Sequence, residues 1–205
     1  MAHVAREPRV SSQGLSPDGL VAPVLLLAMP QVRDPFFQRS VVLLVAHEDD
    51  GSLGFVLNRP TDLKVEQILE DLDIPWGGDR DQPAYLGGPV EPQVGSVLFA
   101  SRDVRESVSE ASAAVTPDVS LTRNLSLFTE IAADPPGRLR VLLGHAGWSA
   151  GQLAEEVSRH DWLTAPVDAE LVFADPAVAW EASLRSIGID PDVLPEWTAG
   201  EQAAN

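Results

Sequence analysis

Two nearly continuous apolar runs, separated by a tight turn, constrain this chain more than any other feature. Ser40–His47 carries Val41, Val42, Leu43, Leu44 and Val45 in succession, and Ser52–Asn58 carries Leu53, Phe55, Val56 and Leu57. Between them lies Glu48-Asp49-Asp50-Gly51, with the Asp-Gly pair favoured where both central turn positions want positive φ. A strand with one wet face alternates apolar and polar residues. These two do not alternate, so both are expected to be central strands covered on both sides. Such a hairpin needs neighbouring strands and a layer above and below.

The rest of the chain supplies them. Leu25-Leu26-Leu27, with a proline on either side, suits another buried strand. Val65, Ile68, Leu69 and Leu72 form an i, i+3, i+4, i+7 stripe of a helix that Pro75 ends. Short strands are expected at Ala84–Leu86 and Ser96–Ala100, with Gly87-Gly88-Pro89 as a bend after the first. Residues 101–118 have no decisive pattern. A helix is predicted over 125–133 with Asn124 as its N-cap, then a strand at Leu139–His145 and a helix at Ala150–Ser158. Ser149 and Gln152 spell a capping box at the start of that helix. In the last helix Asp175 is the N-cap, Pro176 sits in the first turn, Ala177, Trp180, Leu184 and Ile187 form the stripe, and Gly188 and Pro191 stop it. Strands and helices do not alternate strictly, which predicts an α+β domain with a mixed sheet. The expected organisation is a flexible arm over 1–19, one domain over 20–194 and a tail over 195–205.

Composition excludes several kinds of chemistry. Of 205 residues, 31 are acidic and 14 basic, for a formal charge of −17. Such a surface opposes DNA backbones and anionic lipid heads, so neither nucleic acid nor membrane is an expected direct partner. No cysteine is present, which rules out disulfides, thiolate catalysis and Cys-ligated metals. The longest apolar run, Leu20–Met29, is interrupted by Pro23 and is half the ~20 residues a spanning helix needs. A cytoplasmic location is expected. The four histidines lack i, i+3 or i, i+4 spacing, and Gly87-Gly88-Pro89 is not followed by the Lys-Ser/Thr of a phosphate loop. No cofactor or metal is predicted.

Two groups of residues invite functional readings. Gly147-Trp148-Ser149-Ala150-Gly151 matches the G-x-S-x-G nucleophile elbow. Only His160 follows Ser149, and helix geometry places it ~16 Å along the axis, beyond any hydrogen bond. Ser149 is therefore expected to cap the helix, with its hydroxyl facing the backbone N–H of Gly151 or Gln152 and with Trp148 buried beside it. The second group lies at the open end of the hairpin. Asp34, Arg39, Asn58 and Arg59, joined by Arg33, fall side by side there. Two forked guanidiniums can bind a carboxylate or phosphate; the more ordinary expectation is that Arg39 or Arg59 pairs internally with Asp34 and ties a loop to the sheet.

At these residues the sequence resembles the AlgH/YqgE family of bacterial proteins. The family pattern D-P-x-F-x-R-S-V stands here as Asp34 to Val41, G-x-V-L-N-R-P as Gly54 to Pro60, G-G-P-V as Gly87 to Val90, and G-x-A-G-W-x-x-G-Q-L as Gly144 to Leu153, with D-W-L at Asp161-Trp162-Leu163. Relatives often have Tyr where this chain has His145, Gly at Ser149 and His at Phe99. The resemblance implies a compact domain around a mixed, strongly curved, barrel-like sheet with flanking helices. It implies no catalytic residues. One member carries the label of a transcriptional regulator. Asp34, Arg39, Asn58, Arg59 and Gln152 match the family pattern and, with Gly87 and Gly88, make up the candidate binding site.

The leading expectation is thus a non-enzymatic binding or regulatory protein whose partner is another protein or a small anionic ligand. An anion-binding protein or unrecognised enzyme using the Arg/Asn/Gly rim is one alternative. A regulator that binds DNA directly is the other.

Overall fold

The computed structural model describes residues 19–195. In chain order the elements are β1 (Val24–Ala28), β2 (Val41–Glu48), β3 (Gly51–Val56), β4 (Pro60–Lys64), α1 (Val65–Glu70), β5 (Pro83–Leu86), β6 (Val90–Ala100), α2 (Glu106–Glu110), β7 (Ala113–Thr116), β8 (Val119–Thr122), α3 (Leu125–Ala133), β9 (Leu139–Ser149), α4 (Gln152–Ser158), β10 (Trp162–Ala165), α5 (Ala169–Val172) and α6 (Ala179–Ser186). They build a single α+β domain around one strongly curved sheet, a half-barrel with helices against it. The main path of strands is β10-β1-β2-β3-β9-β6-β8-β7. All pairs are antiparallel except β5 with β9, which makes the sheet mixed.

The hairpin is central, as its composition requires. Leu25 and Leu27 of β1, Val41, Leu43 and Val45 of β2 and Phe55 and Leu57 point to one face, where Trp180 and Leu184 of α6 cover them. The intervening Leu26, Ala28, Val42, Leu44 and Val56 point to the other, against Trp148, Leu153 and Trp162. Period-two alternation therefore places apolar side chains on both faces. A third cluster, including Val65, Leu69, Phe99, Phe128 and Ile131, fills the other end beneath α1, α2 and α3.

β9 joins the two halves. Its first part, Leu139 to Leu143, pairs with β6, and its last part, Ala146 to Ser149, pairs with β3. His145 still faces Val90 of β6, so the change of partner falls between His145 and Ala146, just past Gly144, which has φ +69°. A Cβ there would lie 2.5 Å from the Gly88 carbonyl oxygen. Gly88 is tighter still, since its Cβ would fall 1.9 Å from the His145 carbonyl carbon. Two sequence motifs, Gly87-Gly88-Pro89-Val90 and Gly144 to Trp148, thus meet backbone against backbone at a corner of the sheet.

Several expected boundaries shift. The hairpin turn is Asp49-Asp50, and Gly51 opens β3, because Glu48 pairs with Gly51. Gly51 serves a close approach instead: its Cβ would lie 2.6 Å from the Trp148 carbonyl oxygen. α1 ends at Glu70, leaving Leu72 beyond it and 48% exposed. β9 continues four residues past His145, so α4 begins at Gln152 rather than Ala150. α6 begins at Ala179; Asp175 caps the preceding turn, accepting from Ala177 N–H at 2.8 Å. The helix at 125–133 is as read, with Asn124 Oδ1 accepting from the N–H groups of Ser126 and Leu127.

Candidate functional site

The hairpin's open end is held by side-chain bonds to backbone. Buried Asn58 accepts from Val41 N–H through Oδ1 at 2.9 Å and donates through Nδ2 to the Arg39 carbonyl at 2.8 Å. Half-buried Arg59 donates from Nε to the Phe36 carbonyl at 3.2 Å and from a terminal nitrogen to the Gln38 carbonyl. Burial lowers its pKa from the usual arginine range. Asp34 accepts from Phe36 N–H at 2.9 Å, an Asx turn that starts the loop before β2. The Arg39 guanidinium lies 5.4 Å from the centre of the Trp180 ring, a cation–π distance. Asn58 and Arg59 therefore fasten the 34–40 loop to β3. Gly87 and Gly88 lie at the sheet corner already described.

The loop they fasten forms one wall of a cleft of about 310 Å³ with the end of β9 and with α4. Asp34 and Gln152 both line it, together with Arg33, Trp148, Glu156 and Trp162. So the seven candidate residues divide. Asp34 and Gln152 face a common cleft, Asn58 and Arg59 support its wall from behind, and Arg39 and the glycines lie outside its lining.

A carboxylate that the sequence reading did not single out organises this cleft. Glu156 Oε2 accepts from the indole N–H of Trp148 at 2.9 Å and from that of Trp162 at 2.8 Å. Its Oε1 accepts from Gln152 Nε2 at 2.9 Å. The two indoles meet edge to face with centres 6.0 Å apart, and Phe37 meets Trp162 likewise at 5.9 Å. Hydrogen bonds to a charged group are about twice as strong as neutral ones, so this floor is rigid. The spacing was a usable signal: Glu156 follows Gln152 by one helical turn. Among the described residues the Arg33 side chain has no hydrogen-bond or ion-pair partner, whereas Arg159 is paired with Asp161 at 2.8 Å.

Ser149 does not cap α4 in the expected way. It is the last residue of β9, and the N-cap is Gly151 at φ +75°. The Ser149 hydroxyl donates to Gln152 Oε1 at 3.1 Å, and Ser149 N–H donates to the same oxygen at 3.1 Å. Only the Gln half of the capping box forms, because the strand runs on to residue 149 and holds the hydroxyl away from the first helical N–H groups. Trp148 is buried, as expected. Ser149→Ala is expected to cost at most about 1 kcal/mol in a urea melt. A fluorophosphonate probe should label Ser149 no faster in the native protein than in the denatured chain.

On the far side of Gly144, three side chains form a second polar group. The Arg123 terminal nitrogen lies 3.8 Å from Glu91, and His145 Nδ1 lies 3.9 Å from the same carboxylate. Glu91 sits in a left-handed conformation at φ +49°. Arg123 Nε and His145 Nδ1 are buried without hydrogen-bond partners among the described residues. An unmet buried donor costs about 1–3 kcal/mol. The pKa of His145 is lowered by burial and by the Arg123 charge, and Glu91 offsets part of this. The folded state thus favours neutral imidazole. As pH falls below about 6.5, the unfolded chain takes up the proton first, and stability drops until the folded pKa is passed. The urea midpoint is expected to fall between pH 7 and 5.5, and His145→Gln should flatten that slope.

Arg140 is a buried charge at the junction of the hairpin and the C-terminal segment. It is 3% exposed, donates to the carbonyls of Leu57 and Ala174, and lies 4.6 Å from the centre of the Tyr85 ring. It ties the end of the hairpin to the segment before α6. Among the described residues no three His, Asp or Glu side chains cluster as metal ligands, and no helix is long and apolar enough to cross a membrane.

Comparison with known proteins places this geometry. The profile of the AlgH-like family matches residues 25–192. A UPF0301 protein of Myxococcus xanthus is 41% identical over 176 residues, covering 85% of this chain and 94% of its own length. A UPF0301 protein of Vibrio cholerae is 37% identical over 178 residues, covering 82% and 92%. The solution structure of the AlgH protein from Pseudomonas aeruginosa superposes with a TM-score of 0.68 at 31% identity, over 88% of this chain and 94% of that one.

Proposed function

The chain belongs to the AlgH-like family, and from that premise we propose that it is a cytoplasmic, non-enzymatic binding or regulatory protein working through the cleft floored by Trp148 and Trp162. The observation that carries this reading is the Glu156 network. It holds two large aromatic rings and Gln152 in fixed positions at the bottom of a cleft, a preorganised surface of the kind that anchors partners. Its polar groups are engaged in holding the floor: Ser149 donates to Gln152, Asp34 shapes the loop, and Glu156 receives three donors. Asn58 and Arg59 serve the same purpose by fixing the loop wall.

The partner proposed for this surface is a protein segment whose polar groups meet the charged and polar side chains around the buried indoles. Arg33, at the mouth and without a hydrogen-bond or ion-pair partner among the described residues, supports a second reading in which a small anion such as phosphate or a carboxylate is recognised. Direct DNA binding is not part of the proposal, because −17 works against the phosphate term.

The test uses the full chain and a variant with Arg33→Glu, at an exposed position. A partner captured by the wild type is titrated into both proteins, and inorganic phosphate is titrated in parallel. The indole N–H resonances of Trp148 and Trp162 should shift on binding, and Arg33→Glu should weaken it. Steady turnover of a metabolite, abolished by Arg59→Ala without unfolding, would overturn the non-enzymatic reading. Saturable, sequence-dependent binding of duplex DNA at ~0.15 M salt would overturn the exclusion of DNA.

A further inference from the structure

A second cleft, of about 320 Å³, opens on the other side of the Gly144 corner, between α1, the irregular stretch of β6 and the start of α3. Its walls are mostly apolar, with Ile68, Val97, Phe128 and Leu143 inside. At its margin Leu72 and Leu125 are 48% and 53% exposed, large apolar side chains left in water. One wall carries a charge. Arg123 lines the cleft, its side chain is only 10% exposed, and its Nε–H has no acceptor among the described residues. Its ion-pair partner, Glu91, is 3.8 Å away, beyond hydrogen-bond distance, and 54% exposed.

A guanidinium stays charged at any physiological pH and presents a fork of donors matched to a carboxylate. Here it is desolvated and its donors are incompletely used, at an apolar cavity near the small end of the size range of ligand sites. An apolar body would fill the cavity, and a single anionic head would pair with the terminal guanidinium nitrogens, which Glu91 approaches only to 3.8 Å. One cation with a carboxylate nearby suits a monoanion rather than a phosphate dianion.

We propose that this cleft is a binding site for a small amphipathic carboxylate, such as a medium-chain fatty acid, with the hydrocarbon between α1 and α3 and the carboxylate on Arg123. The site is distinct from the Trp148–Trp162 cleft, and neither reading depends on the other. Glu91, at the exposed side of Arg123, is the group that a ligand carboxylate would displace.

The experiment is an amide NMR titration of the full chain with sodium octanoate, alongside 1-octanol as the uncharged tail and sodium acetate as the head alone. Octanoate should give saturable shifts at Leu72, Gly95, Leu125 and Leu143. Octanol should bind about tenfold or more weakly, and acetate should not saturate in the same range. Arg123→Gln should reduce octanoate affinity to that of octanol. Leu125→Gln, at a half-exposed position, should weaken both. Should Arg123→Gln fail to fold, the octanoate-to-octanol ratio in the wild type and the loss in Leu125→Gln decide the matter. Equal binding of octanoate and octanol, undiminished binding by a folded Arg123→Gln, or shifts confined to Trp148 and Trp162 would overturn the proposal. So would binding of an amphipathic peptide in this cleft without any saturable binding of octanoate.

Discussion

Gly88→Ala is expected to cost about 3 kcal/mol or more, the upper end of what overpacking produces, and to broaden or abolish the cooperative urea transition. The added Cβ would fall 1.9 Å from the His145 carbonyl carbon, 2.0 Å from its oxygen and 2.2 Å from Ala146 N. All three atoms are backbone of β9, so no side-chain rotation can relieve the clash. Either the β5–β6 connection lifts away or β9 bends. Both responses disturb the place where β9 changes partner from β6 to β3. Gly147→Ala is the matched control. Its Cβ would meet only the Val90 side chain, at 3.9 Å, so a change within about 0.5 kcal/mol is expected. Equal midpoints for the two variants would show that the corner is not the rigid joint described.

That corner also shows how far the sequence could be read. The glycines of Gly87-Gly88 were visible, and a bend was the natural reading, but their reason lies in a strand more than fifty residues away. The central hairpin, the buried β1 and the Asn124-capped helix were legible because each is set locally, by apolar runs or by a cap next to its stripe. Strands β4, β7, β8 and β10 were not. They are four or five residues long and take their conformation from neighbours rather than from their own pattern. The residues of the candidate rim were visible, but not how the fold divides them. Adjacent in sequence, Asn58 and Arg59 turn to the loop behind the cleft, while Asp34 and Gln152 both line it. Arg123 and Arg140 were missed because a single charged residue gives no sign of burial until its partners are in place, and Glu156 because its one-turn spacing from Gln152 marks a helix face but not the two indoles it would meet.

Trp148→Ala carries the other large expected effect, about 3–5 kcal/mol, the usual cost of deleting a large buried aromatic side chain. The ring is 7% exposed and packs with Leu153 and Trp162 beneath the hairpin's outer face. Its loss opens a cavity under α4 and leaves Glu156 with two donors in place of three. Trp148→Phe separates these contributions. It retains much of the packing and removes the indole N–H, so a loss of about 1–3 kcal/mol is expected, as for a hydrogen bond to a charged acceptor. Glu156→Gln should fall in the same range, because its amide can still accept from the indoles while its NH₂ group now faces Gln152 Nε2. Urea midpoints of the three variants, with Trp148→Ala the lowest and the other two close together, check the energetic account. The functional account makes a separate demand on the folded Trp148→Phe protein. If the aromatic floor is the working surface, this variant must lose affinity for a captured partner even under conditions where it is fully native. A Phe variant that binds like the wild type would leave the floor as a packing device alone.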